Sequence, residues 1–237
     1  PTSRTPNLFS AYCMGWLHAK KSKVKESTYI KYSTVVEKHI IPKLGACCPL
    51  GFTTELMDDF IRELQFEDEL APKTVHDILV VLHGILKFTA SKCKGVFPTV
   101  EINYPKIGKK EMRVLSREEQ EHFISYLQSD LDPCRFGILL ALCTGIRIGE
   151  LCALRWEYVS TRDKAIKIVE TLQRLRDTSA SQNARTRIVI GPPKSDTSVR
   201  TIPMTEYAAG LCRHMKPQSS AAYVLTGTDA FMEPRGL

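Results

Sequence analysis

Thr144-Gly145-Ile146-Arg147-Ile148-Gly149-Glu150, followed by Leu154 and Trp156, is the stretch on which the reading of this chain turns. Asp132-Pro133 opens an apolar run through Phe136, Ile138, Leu139, Leu140 and Leu142, so a helix is expected to reach Gly145 and stop there. Arg147 then stands at the start of a second, short helix over Ile148 to about Leu154. Glu150 follows three residues on and shares a helix face with it. The result is a guanidinium at a sharp turn, beside a carboxylate that can hold it. A guanidinium matches two non-bridging phosphate oxygens with two parallel hydrogen bonds. Phosphoryl-transfer transition states gather charge on those oxygens, so a pre-oriented Arg stabilises them selectively. The same two residues also make an ordinary surface ion pair, which contributes little.

Toward the N-terminus the chain reads as helical. Phe9, Tyr12, Cys13, Trp16 and Leu17 lie at helical spacing between about Leu8 and Lys21. Ser27-Thr28 opens a helix through Tyr32, Val36 and His39, with Pro42 and Gly45 as stop signals. Thr54-Glu55 starts a third, carrying Leu56, Phe60, Ile61 and Leu64 on one face. Pro72, a favoured first-turn residue, begins a fourth, with Val75, Ile78, Leu79, Leu82 and Leu86 as its apolar stripe to about Ser91. Breakers and positive charge follow at Phe97-Pro98, Tyr104-Pro105, Lys106, Gly108, Lys109, Lys110 and Arg113. The expected organisation is a helical domain over 1–104, a basic linker over 105–113 and a second domain over 114–237.

The second domain begins at Ser116-Arg117-Glu118-Glu119, which has capping-box form. Beyond the Arg147 stretch the pattern changes. Lys164 to Thr171, Arg187 to Ile190 and Val199 to Pro203 read as strands joined by turn-rich segments, among them Ser195-Asp196-Thr197-Ser198. Thr178 to Ala184 is polar and reads as a hairpin tip. A helix from about Thr205 to Met215 and a short apolar strand at Tyr223-Val224-Leu225 complete the pattern. The fold class is therefore mainly α with a small antiparallel β-sheet, an all-helical domain preceding an α+β domain.

The formal charge of +7 favours a polyanionic partner, although a basic protein of another kind carries such a charge too. No apolar run approaches the roughly 18 to 20 residues that span a bilayer. Pro1-Thr2-Ser3-Arg4 has no signal-peptide core and no starting Met, so the sequence reads as one that lost its Met or began internally. None of the eight cysteines forms a C-x-x-C pair, and several sit in apolar stretches such as Leu142-Cys143 and Leu151-Cys152. They read as free thiols of a cytoplasmic protein.

Several of these features, in order, resemble the tyrosine recombinase (phage integrase) family. Thr144-Gly145-x-Arg147-x-x-Glu150-x-x-x-Leu154-x-Trp156 is similar to that family's first catalytic box. Ser27-Thr28-Tyr29 through His39-Ile40-Ile41-Pro42-Lys43-Leu44-Gly45 looks like the start of its SAM-like core-binding domain, and Pro72-Lys73-Thr74-Val75 like that domain's final helix. Lys109-Lys110-Glu111-Met112-Arg113-Val114-Leu115 resembles the interdomain linker. Pro193-Lys194-Ser195-Asp196-Thr197-Ser198-Val199-Arg200-Thr201-Ile202-Pro203 resembles the β-hairpin of the catalytic lysine, especially as in integrases of conjugative transposons.

The resemblance implies a C-shaped clamp on double-stranded DNA, strand cleavage and rejoining through a 3′-phosphotyrosyl link, and no metal or other cofactor, since cationic side chains carry the charge. Arg147 is expected to bind the scissile phosphate, Glu150 to orient Arg147, and Lys194 to protonate the departing 5′-oxygen. Lys73, Thr74, Lys109, Lys110, Arg187 and Arg200 are expected DNA contacts; the first two stand at a helix start, which itself favours phosphate. A tetramer on paired DNA sites is implied for a full-length recombinase, whereas the chain alone is compatible with a monomer.

The sequence departs from the family after Lys194. A His-x-x-Arg box, a second His or Trp and the nucleophilic Tyr are expected there. His214 is instead followed by Met215, Lys216 and Pro217, and Tyr207 and Tyr223 precede the place of the second box. The expectation is a C-terminally truncated recombinase, without its nucleophile and inactive as it stands. It would leave uncovered the apolar face near Arg147 that the family's final helices shield. Two other readings stay open: a decayed integrase that binds DNA without catalysis, and a type IB topoisomerase-like enzyme, against which the helical half and the lysine hairpin argue.

Overall fold

The computed structural model describes residues 8–93, 96–108, 111–177, 186–193, 198–216 and 222–226. Lys109, Lys110, Lys194, the 178–184 tip and the 195–197 part of the turn lie outside the described residues. The chain divides into two compact units, Pro1–Glu111 and Met112–Leu237.

The first unit is all helical. Helix α1 (Phe9–Lys21) buries Phe9, Cys13, Trp16 and Leu17, the face its spacing predicts. Helix α2 (Glu26–Val35) does not stop before Pro42. It passes through a π turn at Val36–Ile40 into α3 (Ile41–Leu44), with Pro42 in the first turn of α3. Proline has no N–H and its ring meets the carbonyl four residues back. The wider turn, closed by Ile41 N–H on the Val36 carbonyl, lets the helix continue past it. Thr53 caps α4 (Thr54–Arg62) by accepting from the Leu56 N–H. Helix α5 (Pro72–Lys92) supplies Val75, Ile78, Leu79, Leu82 and Ile85 to one core shared with Phe52, Met57, Phe60 and Leu64.

The second unit starts at the Ser116–Glu119 capping box of α6 (Arg117–Ser129). Asp132 caps α7 (Pro133–Thr144), which ends at Gly145 in the left-handed region, φ 64°. Helix α8 (Ile148–Cys152) follows at once. Strands β1 (Val159–Ser160), β2 (Ala165–Ile168) and β5 (Arg200–Pro203) form an antiparallel sheet in the order β1-β2-β5. Helix α9 (Glu206–Met215), capped by Thr205, packs on α7. Phe136 stacks on Trp156 at 6.5 Å between centroids, in a core with Leu140, Ile166, Ile168, Ala208 and Cys212.

Two strands form a separate hairpin, β3 (Thr171–Arg176) with β4 (Thr186–Gly191), in register from Thr171↔Gly191 to Arg176↔Thr186. The segment expected as one strand from Lys164 to Thr171 is thus split between two sheets. Residues 222–225 do not form a full strand: Tyr223 makes an isolated bridge to Arg155, and Val224 N–H donates to the Leu154 carbonyl at 2.8 Å. All eight cysteines lie among the described residues and are free thiols. An open apolar groove of about 360 Å³ lies between α7 and α8, lined by Ile138, Leu142, Ile146, Ile148 and Leu151 among others. No helix among the described residues is long and apolar enough to cross a membrane.

Candidate phosphate-binding site

The site is built where α7 turns into α8. Thr144 donates its hydroxyl to the Leu140 carbonyl, closing the last turn of α7. Gly145 reverses the backbone, and its N–H reaches the Ala141 carbonyl at 2.8 Å. Ile146, 5% exposed, then drops into the core. That anchor leaves the next residue, Arg147, facing solvent with its side chain 70% exposed. Arg147 is the N-cap of α8 in an extended conformation.

Glu150 lies at the third helical position and is 4% exposed. Its carboxylate accepts four hydrogen bonds. Oε1 receives Arg147 Nη1 at 2.9 Å and Arg200 Nη1 at 2.9 Å. Oε2 receives the Arg147 backbone N–H at 3.1 Å and Arg200 Nη2 at 2.8 Å. Burial pushes the carboxyl pKa up, but hydrogen bonds from Arg200 and from the Arg147 backbone and side chain outweigh it, holding the group at about 2. The same contact raises the pKa of Arg200 above the usual guanidinium value. Glu150 is therefore an ionised anchor between two cations at neutral pH.

The sequence-predicted residues are distributed unevenly. Arg147 and Glu150 are together, as their spacing requires. Arg200, expected as a DNA contact, has both terminal nitrogens on Glu150. Arg187 is exposed on β4, opposite Leu175 of β3. In the first unit Lys73 stands in the first turn of α5 and pairs with Asp77 at 2.6 Å, while Lys31 holds the other oxygen of Asp77 at 3.1 Å. Thr74 is exposed on the same turn, its N–H on the Ala71 carbonyl. The partnership of Arg200 with Glu150 was not foreseen: the two are 50 residues apart, and no local spacing signals it.

Known proteins share parts of this sequence and its fold. Residues 8–47 match the phage integrase N-terminal SAM-like domain. An integrase of Saccharopolyspora erythraea is 28% identical over 150 residues, covering 60% of this chain and 33% of that protein. Among solved structures, the Tn1549 transposon integrase in complex with transposon right-end DNA is similar with a TM-score of 0.71 at 20% identity, over 88% of this chain and 64% of that one. A λ integrase tetramer bound to a Holliday junction is similar with a TM-score of 0.62 at 16% identity, over 93% of this chain and 60% of that one. The chain thus spans less than two thirds of the length of each of these proteins. The matched helical segment and the shared fold point the same way: this chain has the fold of these integrases, and its ordered motifs resemble those of the tyrosine recombinase (phage integrase) family.

Proposed function

We propose that this protein is a site-specific DNA recombinase that cleaves and rejoins strands through a 3′-phosphotyrosyl intermediate, and that this chain supplies the phosphate-binding part of its active site. The observation that carries the reading is the Arg147–Glu150 arrangement. A largely exposed guanidinium is held at one nitrogen by a buried, ionised carboxylate. Its other donors take no partner among the described residues. Two parallel hydrogen bonds from it to the non-bridging oxygens of a scissile phosphate stabilise the charge that accumulates there in the transition state. A guanidinium oriented before substrate arrives needs no reorganisation at the moment of reaction.

In this reading Lys194 protonates the departing 5′-oxygen as a general acid. Arg187, Lys73, Thr74, Lys109 and Lys110 contribute sequence-independent contacts to the DNA backbone, which makes binding salt-dependent. Double-stranded DNA is the partner, with four protomers on paired sites for the complete recombinase. No metal enters the scheme.

The test is covalent trapping. The protein as encoded by its gene is incubated with nicked suicide duplexes carrying the DNA that flanks that gene. The expected product is a 3′-phosphotyrosyl adduct whose formation is slowed by at least about a hundredfold in Arg147→Ala. Trapping of Arg147→Ala at the wild-type rate would overturn the site assignment. A second reading, a DNA-binding protein without catalysis, is favoured by one feature: His214-Met215-Lys216-Pro217 is not a His-x-x-Arg box. Salt-dependent duplex binding with no adduct from the wild-type protein would establish it.

A further inference from the structure

We infer that Arg200 is a positioning residue for Arg147, acting through Glu150; the inference rests on the reading that Arg147 receives the phosphate. A carboxylate as buried as Glu150 is costly unless it is fully paired. Arg147 cannot supply that pairing alone. Its side chain is 70% exposed, and an ion pair with a partner in water contributes little. The missing compensation comes from the start of β5. Arg200, 30% exposed, meets the two carboxylate oxygens with two parallel bonds, and its Nη1 also donates to the Ser198 carbonyl at 3.2 Å.

The pattern of the four bonds specifies the consequence. Each oxygen of Glu150 takes one bond from Arg147 and one from Arg200. The carboxylate plane cannot rotate without breaking a bond to both. Arg200 thereby fixes the acceptor on which Arg147 rests and keeps it ionised. Arg200 also spans two elements, since Glu150 belongs to α8 and Arg200 opens β5. With both terminal nitrogens committed to Glu150, Arg200 is poorly placed to grip phosphate as a fork of its own. Its role differs from the DNA contact that its position in a basic strand suggests.

The test uses the 237-residue chain with ¹³C-labelled glutamate and ¹⁵N-labelled arginine. In the wild type, the titration of the Glu150 carboxyl and the loss of slowly rotating Nη signals from Arg147 and Arg200 are expected at one shared acid midpoint. Separate midpoints for the two arginines overturn the inference without any variant. In Arg200→Lys, which keeps the charge but removes the fork, the Glu150 midpoint is expected to rise by at least one pH unit and the Arg147 Nη signals to average. Unchanged Arg147 signals in folded Arg200→Lys overturn it.

Binding of a fluorescent random-sequence duplex separates positioning from direct contact. Arg200→Lys is expected to weaken binding about fivefold to tenfold in the wild-type background and not at all in Arg147→Ala. Equal weakening in both backgrounds makes Arg200 a DNA contact and overturns the proposal. If the wild-type chain and Arg147→Ala bind the duplex alike, the phosphate-binding reading of Arg147 fails, and the spectroscopic coupling of the two arginines still stands or falls by itself.

Discussion

Gly149 lies directly against Leu172: a Cβ built on Gly149 stands 2.8 Å from the Leu172 carbonyl oxygen and 2.8 Å from Thr171 Oγ1. The helix that carries Glu150 therefore rests on the β3 backbone, with Leu172, Cys152 and Ala153 buried between them. The first of the two contacts is with main chain, which cannot swing aside. Gly149→Ala is expected to destabilise the second unit by about 1–3 kcal/mol, the usual range for overpacking a tight contact. Urea unfolding followed by tryptophan fluorescence, with Trp156 in that unit's core, is the measurement. An unchanged midpoint would show that α8 and β3 are not seated so closely.

Gly145 isolates a different cost. Its φ of 64° is left-handed, and an added Cβ meets nothing within 4 Å. Gly145→Ala therefore introduces backbone strain with no clash, expected at about 1 kcal/mol. Gly145→Asn is expected to cost less, because asparagine tolerates this region better. Comparing the two by chemical denaturation checks the order.

The acid limb of stability should report Glu150. Its folded-state pKa, about 2, lies below the ordinary 4.5, so its contribution is complete above pH 4.5 and is lost as pH falls from 4.5 toward 2. At 1.36 kcal/mol per pH unit the full contribution is on the order of 3 kcal/mol. Denaturation midpoints measured through this window should fall steeply in the wild type and more gently in Glu150→Gln. The variant is also expected to be less stable at pH 7, where its amide meets two guanidinium groups.

Asp77 holds Lys73 and Lys31 through opposite oxygens, and the hydrogen bond from Lys73 is the main cause of its lowered carboxyl pKa. On the proposed reading this carboxylate competes with DNA phosphate for both lysines. Asp77→Asn is expected to tighten duplex binding and to steepen the log–log salt dependence by roughly one to two units. Lys73→Ala should act in the opposite direction. A salt titration by fluorescence anisotropy reads both, and a weaker Asp77→Asn complex would remove Lys73 from the interface.

Much of the helical framework was legible because its signals are local. Ser116 and Glu119 lie within one turn of each other, Asp132 and Gly145 bracket α7, and Pro72 pre-sets the first turn of α5. The π turns at Val36–Ile40 and Glu63–Glu67 were not legible, because a residue added to a turn leaves the apolar spacing almost unchanged. Strand β3 escaped for a related reason. In Thr171–Arg176 only Leu172 is buried, so no alternation marks it as a strand.

The sequence by itself determined that Arg147 and Glu150 would meet, since three residues along a helix start place them on one face. It also supplied the order of motifs that resembles the tyrosine recombinase family. Tertiary structure alone decided that Arg200 completes the pair and that the hairpin of β3 and β4 lies against α8. It also decided that β5 joins β2 across that intervening hairpin. The physical reason is one of range. Caps and turn residues act over a few bonds, whereas a buried carboxylate needs its charge balanced by whichever cation the folded chain brings to it, here one 50 residues away.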